Sequence, residues 1–336
     1  MTEYYRPIVR FGPDRPEGAL PLAGGPGWFT EVQLRRRDTA PRALPAQDLP
    51  PDWRQRLTAP RAAVAGLDMG RANVMGILNV TPDSFSDGGS HQTANAALHR
   101  ARGMVAAGVD MIDVGGESTR PGAATIPPEA EIARIEPVIR AIGHEIPVPV
   151  SIDTRKSSVA EAAVEAGAAL VNDVSGFTYD PMLGRFCQTR GLPVCVMHAL
   201  GDPETMQDDP RYDDVLLDVY DFLERQVSAL ERTGIPRDRI VVDPGIGFGK
   251  TMAHNLTLLH NVSLFHGMGC PVLVGVSRKG FIGTLSGAVE PSGRVAGSLA
   301  AALAAAAQGV QIVRVHDVTE TVQALKVWRA IEQAEA

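Results

Sequence analysis

The sequence has no excess of positive charge and no long hydrophobic run. Its 32 lysine and arginine residues are outnumbered by 39 aspartate and glutamate residues, which gives a formal net charge of −7 at pH 7. This balance supplies no basic field for nucleic acid. The longest apolar stretch, residues 299–307, is too short to span a bilayer, and the N-terminus lacks the apolar segment of a signal peptide. We therefore expect a cytoplasmic protein with neither a nucleic-acid nor a membrane partner.

Cysteine and lysine are both scarce. The three cysteines form an odd set without CxxC spacing, which predicts free, buried packing residues in a reducing compartment. Only four lysines occur, and three of them, Lys156, Lys250 and Lys279, come just after apolar runs. Depletion of lysine by a GC-rich genome, with chance placement of the survivors, is one explanation. A point charge on a flexible stem differs from an arginine fork, however, and Lys279 is the strongest candidate for a functional lysine.

What the sequence does contain is a repeated pattern of short apolar runs that end in polar residues. Eight such runs occur after residue 71, and a helix-like stretch follows each of them. The residues at or just past their ends are Asn79, Asp113, Asp153, Asn172, His198, Asp243, Lys279 and Arg314 with His316. Buried parallel strands read as nearly continuous apolar runs, and alternation with helices implies a parallel sheet. The eight units predict an α/β fold, a (β/α)8 TIM barrel over residues 71–336, with its site at the C-terminal strand ends.

The first part of the chain has a different composition. Ten of the 25 prolines and two of the three tryptophans fall within the first 60 residues. Proline interrupts helix interiors and central strands, so only short strands are expected, near Tyr4–Phe11 and Gly27–Leu34. We interpret residues 1–70 as a proline-rich N-terminal extension packed on the barrel or on a partner subunit. A disordered arm is the alternative, and the tryptophans argue against it.

Two long polar loops follow the first and second predicted strands. They span residues 81–90 and 115–125 and are rich in glycine, serine and threonine. Barrel loops of this length commonly act as lids or binding loops, although plain surface connectors are the alternative. Phe85 lies within the first loop, where its ring could cover an aromatic substrate.

Arg314 and His316 lie at the end of the eighth predicted strand. Their spacing by two places both side chains on one face of a strand. Two cationic or hydrogen-bonding groups there suit a cluster of phosphate oxygens, which barrels often bind near strands seven and eight, and Arg120 would add a third donor. A buried structural pair between an arginine and an aspartate is the alternative for each arginine.

Asp153, Asn172 and Asp243 end the third, fourth and sixth strands. Two carboxylates and an amide that converge in a barrel mouth suit a divalent metal, a sugar, or the donor-rich edge of a nitrogen heterocycle. Each residue taken alone could equally have a structural role. The glycines of residues 243–250 lack the spacing of a phosphate loop, so we expect them to let the backbone approach a flat ligand beside Phe248.

Taken together, these segments resemble the dihydropteroate synthase family, folate-pathway enzymes that sulfonamides target. The matching strings are GILNVTPDSFSDGG (76–89), DVGGESTRPGA (113–123), SIDTRK (151–156), VNDVSG (171–176), DPGIGFGK (243–250), VGVSRK (274–279) and RVHDVTET (314–321). They occur in the family's order, and the resemblance covers residues 73–336. It implies that 6-hydroxymethyl-7,8-dihydropterin diphosphate is joined to 4-aminobenzoate with release of diphosphate. It also implies Mg²⁺ as cofactor and a homodimer formed through the late helices.

The resemblance assigns roles by position. The implied pterin-binding residues are Asp153, Asn172, Met197, Asp243, Phe248, Lys279 and Arg314. The implied diphosphate-binding residues are Asn79, Thr119, Arg120, Arg314 and His316, with Asn79 also contacting Mg²⁺. The implied aminobenzoate and lid residues are Phe85, Pro121, Phe248 and Gly280. The implied catalytic residues are Arg120, Lys279, Arg314 and His316. His198 is interpreted as a packing or supporting residue.

One position departs from the family pattern. Gly280 stands where the family often has a serine, whose hydroxyl helps to hold the aminobenzoate carboxylate. That anion would then depend on backbone N–H groups at the following helix start and on Lys279.

Two rival functions remain open at this point. A pterin-binding methyltransferase that passes a methyl group from methyltetrahydrofolate to a corrinoid would share the acidic pterin site. It has no need for Arg120 or for Arg314 and His316. A catalytically silent relative would have lost the loops or the phosphate donors, all of which are present here.

Overall fold

The computed structural model describes residues 2–81, 90–118, 123–201 and 205–334, with residues 90–93 described as helix backbone only. Its first 70 residues contain β1 (Tyr4–Pro7), β2 (Leu20–Pro21), β3 (Trp28–Phe29), β4 (Glu31–Arg35), β5 (Arg42–Pro45) and α1 (Pro51–Thr58). Strands β1, β4 and β5 pair antiparallel, and β2 pairs with β3. Strands therefore occur in both predicted regions, residues 4–11 and 27–34, while the division into domains at residue 70 stays a prediction.

The barrel consists of eight parallel strands that neighbour one another in sequence order. They are β6 (Asn73–Asn79), β7 (Met111–Gly115), β8 (Val150–Asp153), β9 (Leu170–Asp173), β10 (Val194–Met197), β11 (Ile240–Asp243), β12 (Leu273–Gly275) and β13 (Ile312–Val315). β13 pairs with β6, and a parallel bridge between Val242 and Val272 joins β11 to the segment that leads into β12. The predicted TIM barrel is therefore confirmed.

Helices follow the strands as the alternation predicts. They are α2 (Ser90–Ala107), α3 (Pro128–Glu145), α4 (Ser157–Ala166), α5 (Leu183–Arg190), α6 (Val215–Thr233), α7 (Met252–His260), α8 (Gly280–Ser286), α9 (Val295–Ala306) and α10 (Val318–Glu332). Helix α6 shows why such boundaries can be read from sequence. The Asp214 side chain caps its first turn by accepting hydrogen bonds from the backbone N–H groups of Leu216 and Leu217, and Gly234 ends it with a φ of 102°.

Two helical features differ from the sequence prediction. The sequence predicts a helix start beside Gly280 but not the bounds of α8, because the seven residues of this helix include two glycines, which are poor helix formers. The sequence also predicts one helix near residues 253–266, but in the structure this helix ends at His260, and a 3-10 segment, Val262–Met268, follows. Asn261 lies at this break, where its side-chain oxygen accepts hydrogen bonds from Arg6 and Arg35 of the extension, both at 2.8 Å.

The N-terminal extension packs against the side of the barrel. The hydroxyl of Tyr4 donates to Asp221 on α6 at 2.8 Å, and Arg37 forms ion pairs with Asp218 and Asp221 at 2.6 and 2.7 Å. Ser263 donates to the carbonyl oxygen of Pro7 at 2.9 Å. These contacts tie the extension to α6 and to the segment after α7.

The inward-facing side chains change character along the barrel axis. The N-terminal half of the interior is an apolar cluster, and Val64, Leu67 and Met69 cover its end. Its barrel members are Met75, Met111, Leu170, Cys195, Val241, Leu273 and Ile312. Two residues further along most of these strands, the inward positions become polar or charged, because alternate residues of a strand face the same side. The candidate site therefore lies at the C-terminal end of the interior.

All three cysteines are free and buried, as predicted. Within the part of the chain that the structure describes, no helix has both the length and the apolar character needed to cross a membrane.

Candidate active site

Arg314 lies between two buried aspartates at the centre of the site. Its Nε donates to Oδ2 of Asp113 on β7 at 2.6 Å, and its Nη2 donates to Oδ2 of Asp153 on β8 at 2.7 Å. Both aspartates are almost inaccessible to solvent, at 0% and 6% exposure. Although burial lowers the pKa of Arg314, the two carboxylates more than compensate and raise it above its ordinary value. The guanidinium is therefore permanently charged, and the structural arginine–aspartate pair is present.

Each of these aspartates has one oxygen to which no described residue donates a hydrogen bond. Oδ1 of Asp113 and Oδ1 of Asp153 are buried, and neither accepts a hydrogen bond from any residue that the structure describes. The side-chain amide of Asn172 contacts the other Asp113 oxygen at 3.2 Å. Burial raises the pKa of Asp153, while Arg314 opposes this rise. Buried acceptors normally have a donor, so these two oxygens fit a ligand with N–H groups.

Asp243 stands at the end of β11 and begins a glycine-rich loop. One of its oxygens accepts a hydrogen bond from the N–H of Gly245 at 2.7 Å, and burial raises the pKa of Asp243 to about 6. Gly245 has a φ of +68°, and a Cβ added there would lie 1.8 Å from the carbonyl oxygen of His198. Only glycine lets the loop pass this close to the end of β10.

Lys279 and Phe248 meet above this loop. The Lys279 amine lies 4.2 Å from the centre of the Phe248 ring. Burial, with a further contribution from Arg314, lowers the pKa of Lys279 to about 8. A cation against a half-buried aromatic ring forms a surface on which a flat ligand can stack.

His316 follows the last residue of β13 and contacts Ser277. Its Nδ1 lies 3.1 Å from the Ser277 hydroxyl oxygen, which also accepts the His316 backbone N–H at 3.1 Å. Burial, Arg314 and Arg278 lower the pKa of His316 to about 3. The ring is therefore neutral near pH 7, so at this strand exit only Arg314 is cationic and His316 is a hydrogen-bonding group.

Asn79, Met197 and Gly280 lie at three further strand or helix ends. Asn79 is the half-buried last residue of β6, Met197 ends β10 and is buried, and Gly280 is the first residue of α8. A Cβ added at Gly115 would lie 3.6 Å from Oδ1 of Asn79 and 3.6 Å from Cβ of Asp153. Asn79 and Asp153 therefore flank the same small residue at the rim.

Four predicted site residues lie outside the described residues: Phe85, Thr119, Arg120 and Pro121.

The described start and end of the second loop are held by one buried ion cluster. Glu117 accepts the Ile126 N–H at 2.9 Å and lies 3.3 Å from Lys156, whose amine donates to Glu131 at 2.8 Å and to the Ile126 carbonyl at 2.7 Å. Lys156 thus supports the loop, which gives one of the scarce lysines a structural role.

The sequence reasoning missed two members of the site. The sequence places Asp113 at a strand end but gives it no role, although its carboxylate accepts a hydrogen bond from Arg314. Lys250 was noted for its position, and its amine lies 2.9 Å from Nδ1 of His198. Asp113 lies near the C-terminal end of an inward-facing strand, as Asp153 and Asp243 do. This shared position is the signal that could have identified it.

No cluster of three His, Cys, Asp or Glu side chains with metal-site geometry occurs among the described residues. Asn79 at the rim offers one amide oxygen to a metal. Mg²⁺ commonly binds in this way, through one or two protein oxygens together with substrate phosphates and waters.

A separate cavity of about 490 Å³ lies between the N-terminal extension and α10. Phe11, Met69 and Trp328 are among its lining residues, and none of the predicted site residues is. It borders the N-terminal end of β6, whereas the charged residues cluster at the opposite end of the strands.

Comparison with known proteins agrees with this geometry. The profile of the pterin binding enzyme family matches residues 75–316. The dihydropteroate synthase of Escherichia coli strain K12 is 47% identical over 264 residues, which cover 79% of this chain and 93% of that protein. A solved structure of Xanthomonas albilineans dihydropteroate synthase with 4-aminobenzoic acid has a TM-score of 0.77 and 45% identity, covering 82% of this chain and 99% of that one.

A second Xanthomonas albilineans structure, in complex with 7,8-dihydropteroate, has a TM-score of 0.74 and 42% identity and covers 82% of this chain and 100% of that one. The relatives are covered almost completely, whereas the family match begins at residue 75 and leaves the N-terminal extension outside. The chain belongs to the pterin binding enzyme family and, within it, to the dihydropteroate synthases.

Proposed function

We propose that the protein joins 6-hydroxymethyl-7,8-dihydropterin diphosphate to 4-aminobenzoate, forming 7,8-dihydropteroate and diphosphate in folate biosynthesis. The observation that carries the proposal is the pair of buried carboxylates around Arg314, each with one oxygen that has no partner among the described residues. The extensive identity with dihydropteroate synthases, including one solved with the product, supports the same reaction.

In this proposal the pterin lies on the polar end of the barrel interior. Its ring N–H and amino groups would donate to Asp113, Asp153 and Asp243, and the amide of Asn172 would complete the edge. Met197 would pack near the ring, and Lys279 would donate to a ring acceptor while Arg314 lies across the ring face. A pterin edge carries several adjacent donors, which is what unpaired carboxylate oxygens require.

The chemistry that we propose is an SN1-like displacement. The bond between the pterin methylene carbon and the diphosphate oxygen breaks first, and its electron pair leaves with diphosphate. The positive charge on the methylene spreads into the ring, where the carboxylates of Asp153 and Asp243 stabilise it. The aryl amine then forms the new carbon–nitrogen bond and releases one proton. Arg120 and Arg314 would offset the growing negative charge on diphosphate, with His316 and Thr119 as hydrogen-bond donors.

The proposed cofactor is Mg²⁺, held by Asn79 at the rim and by the substrate diphosphate. When bound, it would neutralise charge on the leaving diphosphate. The half-buried position of Asn79 at the end of β6 suits a single amide ligand of this kind. The residues present therefore fit the ion without forming a closed protein cage.

The proposed aminobenzoate site lies beside Phe248 and Lys279, with Phe85 and Pro121 contributed by the two long loops. Its carboxylate would approach Gly280 at the start of α8. A Cβ at Gly280 would meet no atom within 4 Å, so the position is open. We expect backbone N–H groups to replace the serine hydroxyl that the family often has there.

We further propose a homodimer formed through the late helices, in the cytoplasm. Val327 and Ile331 on α10 are exposed apolar residues, at 61% and 66% exposure, which suits burial by a second copy. The three free cysteines suit a reducing compartment. Analytical ultracentrifugation of the wild type and of Val327→Glu tests the dimer, which the variant should weaken.

The decisive experiment mixes the purified protein with pterin diphosphate, 4-aminobenzoate and Mg²⁺. Stoichiometric diphosphate and 7,8-dihydropteroate are expected. Methyl transfer from methyltetrahydrofolate to a corrinoid would favour the rival enzyme, and binding of pterin without turnover would favour a silent relative. Growth of a folate auxotroph lacking this step, restored by the gene, provides an independent test.

A further inference from the structure

The glycine-rich loop between β11 and α7 ends in a lysine whose amine is buried. Nζ of Lys250 lies 2.9 Å from the carbonyl oxygen of Phe248, 2.9 Å from Nδ1 of His198 and 3.3 Å from the carbonyl oxygen of His198. An ammonium group has three donors, and three acceptors surround this one. The side chain therefore links the loop after β11 to the end of β10.

Phe248 is the residue that this link holds in place. Its ring lies 4.2 Å from the Lys279 amine, and a Cβ added at Gly247 would come within 3.0 Å of the Lys279 stem. The backbone of this loop therefore packs directly against the Lys279 side chain. We propose that Lys250 is a positioning residue that fixes the Phe248 ring, and through it the Lys279 amine, against the substrate rings. This inference rests on the proposed function.

Other side chains hold the same loop from its outer side. The N–H of Gly247 donates to Asn255 at 2.7 Å, and the hydroxyl of Tyr212 donates to the carbonyl oxygen of Gly249 at 2.8 Å. Asn255 is buried as well, but Lys250 differs from both side chains because its amine connects this loop to the end of β10. Water can replace the half-exposed Tyr212 hydroxyl more readily than a buried ammonium, so loss of Lys250 should have the larger effect.

Lys250 also affects the charge of Asp243. Burial raises the pKa of Asp243 to about 6, and the positive charge of Lys250 is among the effects that oppose this rise. Burial lowers the pKa of Lys250 itself to about 7, so most molecules carry the charge at the pH where Asp243 titrates. The other titratable groups facing this pair are Lys279, Arg314, Cys195, His198 and His254. Removing the amine should therefore raise the pKa of Asp243 further.

The test compares Lys250→Met with Lys326→Met in the full-length enzyme. Methionine keeps an unbranched stem and removes the amine, and Lys326 is an exposed lysine on α10. We expect Lys250→Met to lower kcat/KM for the pterin diphosphate by about ten- to a hundredfold, since a displacement of about 1 Å at the reacting groups has that effect. The acidic limb of its pH profile should move to higher pH. Lys326→Met should match the wild type in both measurements.

The outcomes separate this inference from the proposed function. An inactive wild type would end the proposed function, whereas an active wild type allows the variant to be judged. A Lys250→Met enzyme with a lower melting temperature but unchanged kcat, KM and pH profile would mean that the lysine is merely structural, and would overturn the inference. If that variant does not fold, Lys250→Gln keeps N–H donors on a shorter side chain and removes the charge. A KM for the pterin about two- to fivefold higher is then expected, and an unchanged KM would overturn the inference.

Discussion

The two ends of the barrel interior are built from the same strands but have opposite chemistry. At the N-terminal end, Met111 and Leu170 belong to an apolar cluster that Val64 and its neighbours close from below. Two residues further along, the same strands present Asp113 and Asn172. Both members of each pair belong to the same strand, so the difference lies in the side chains.

The contrast shows which end stabilises the fold and which end carries the reaction. Apolar burial at the N-terminal end contributes stability without any need for a partner molecule. The C-terminal end holds buried carboxylates with raised pKa values, and two of their oxygens accept no hydrogen bond from the described part of the chain. Such groups cost stability in the free protein and are explained by a ligand that satisfies them.

Removing Arg314 should have the largest effect, because it disrupts both reaction and fold at the charged end. We expect Arg314→Met to lower kcat/KM about 10²- to 10³-fold through loss of a preorganised donor. The free energy of unfolding should also fall by about 3–5 kcal/mol, since Asp113 and Asp153 lose their cation. Steady-state kinetics and urea unfolding measure the two losses. Wild-type kcat and KM would remove Arg314 from the mechanism.

Leu170→Ala makes the matching change at the apolar end. We expect the free energy of unfolding to fall by about 2–5 kcal/mol, because a fully buried leucine leaves a cavity. Turnover per folded molecule should stay within about threefold of the wild type, since well-separated sites contribute nearly independently. Kinetics corrected for the folded fraction provide the check. A hundredfold loss of turnover would show that the two ends are coupled.

Asp243 should make activity and stability respond to pH in opposite directions. Its folded pKa, about 6, lies above its ordinary value of 3.8, so the folded state holds more protons between these values. The contribution of Asp243 to stability is therefore fully present below 3.8 and is lost as the pH rises through about 6, by about 3 kcal/mol. Pterin binding needs the carboxylate and should weaken as the pH falls through the same window.

Unfolding curves and pterin titrations of the wild type and Asp243→Asn across this pH range measure both effects. The variant should be more stable than the wild type near pH 7 and should lose this advantage in acid, while binding pterin weakly throughout. Parallel pH dependence of stability in the two proteins would refute the assignment.

Two aspartates near β7 allow the most detailed comparison of the two ends: Asp110 directly precedes the strand, and Asp113 lies within it. Asp113 holds Arg314, whereas Asp110 accepts hydrogen bonds from Arg71 at 2.5 Å and from the Val74 N–H at 2.8 Å. We expect Asp113→Asn to lower kcat/KM about tenfold or more by weakening a charge-assisted hydrogen bond. Asp110→Asn should stay within about twofold, because Asp110 and its partners lie at the N-terminal ends of β6 and β7, opposite the site. Equal losses in the two variants would contradict the division between the ends.

Much of the fold could be predicted from the sequence because the strands are buried on both faces. Eight apolar runs with polar ends, separated by helical stretches, allow few arrangements other than a closed parallel barrel. The end of α7 and the bounds of α8 could not be predicted. Hydrogen bonds from Arg6 and Arg35 to Asn261 define the first, and α8 forms from a short sequence with two glycines.

The site was predictable to the same extent. Asp153, Asn172 and Asp243 were expected together, and they occupy inward-facing strand ends. The pairing of Arg314 with two aspartates and the neutral state of His316 depend on burial, which a sequence does not state.

The sequence by itself determined the order of strands and helices, the end of the barrel that carries the polar groups, and the family. Local patterns are sufficient for these three features, because the alternation of strands with helices and the polar residues at strand ends can be read from neighbouring residues. Tertiary structure alone decided that Asp113 partners Arg314 and that Lys250 reaches His198. Arg314 and Asp113 are 201 positions apart and meet only when β13 pairs with β6 and closes the barrel, whereas Lys250 and His198 are 52 positions apart and meet when β10 pairs with β11. The charges of these groups depend on what else is buried around them.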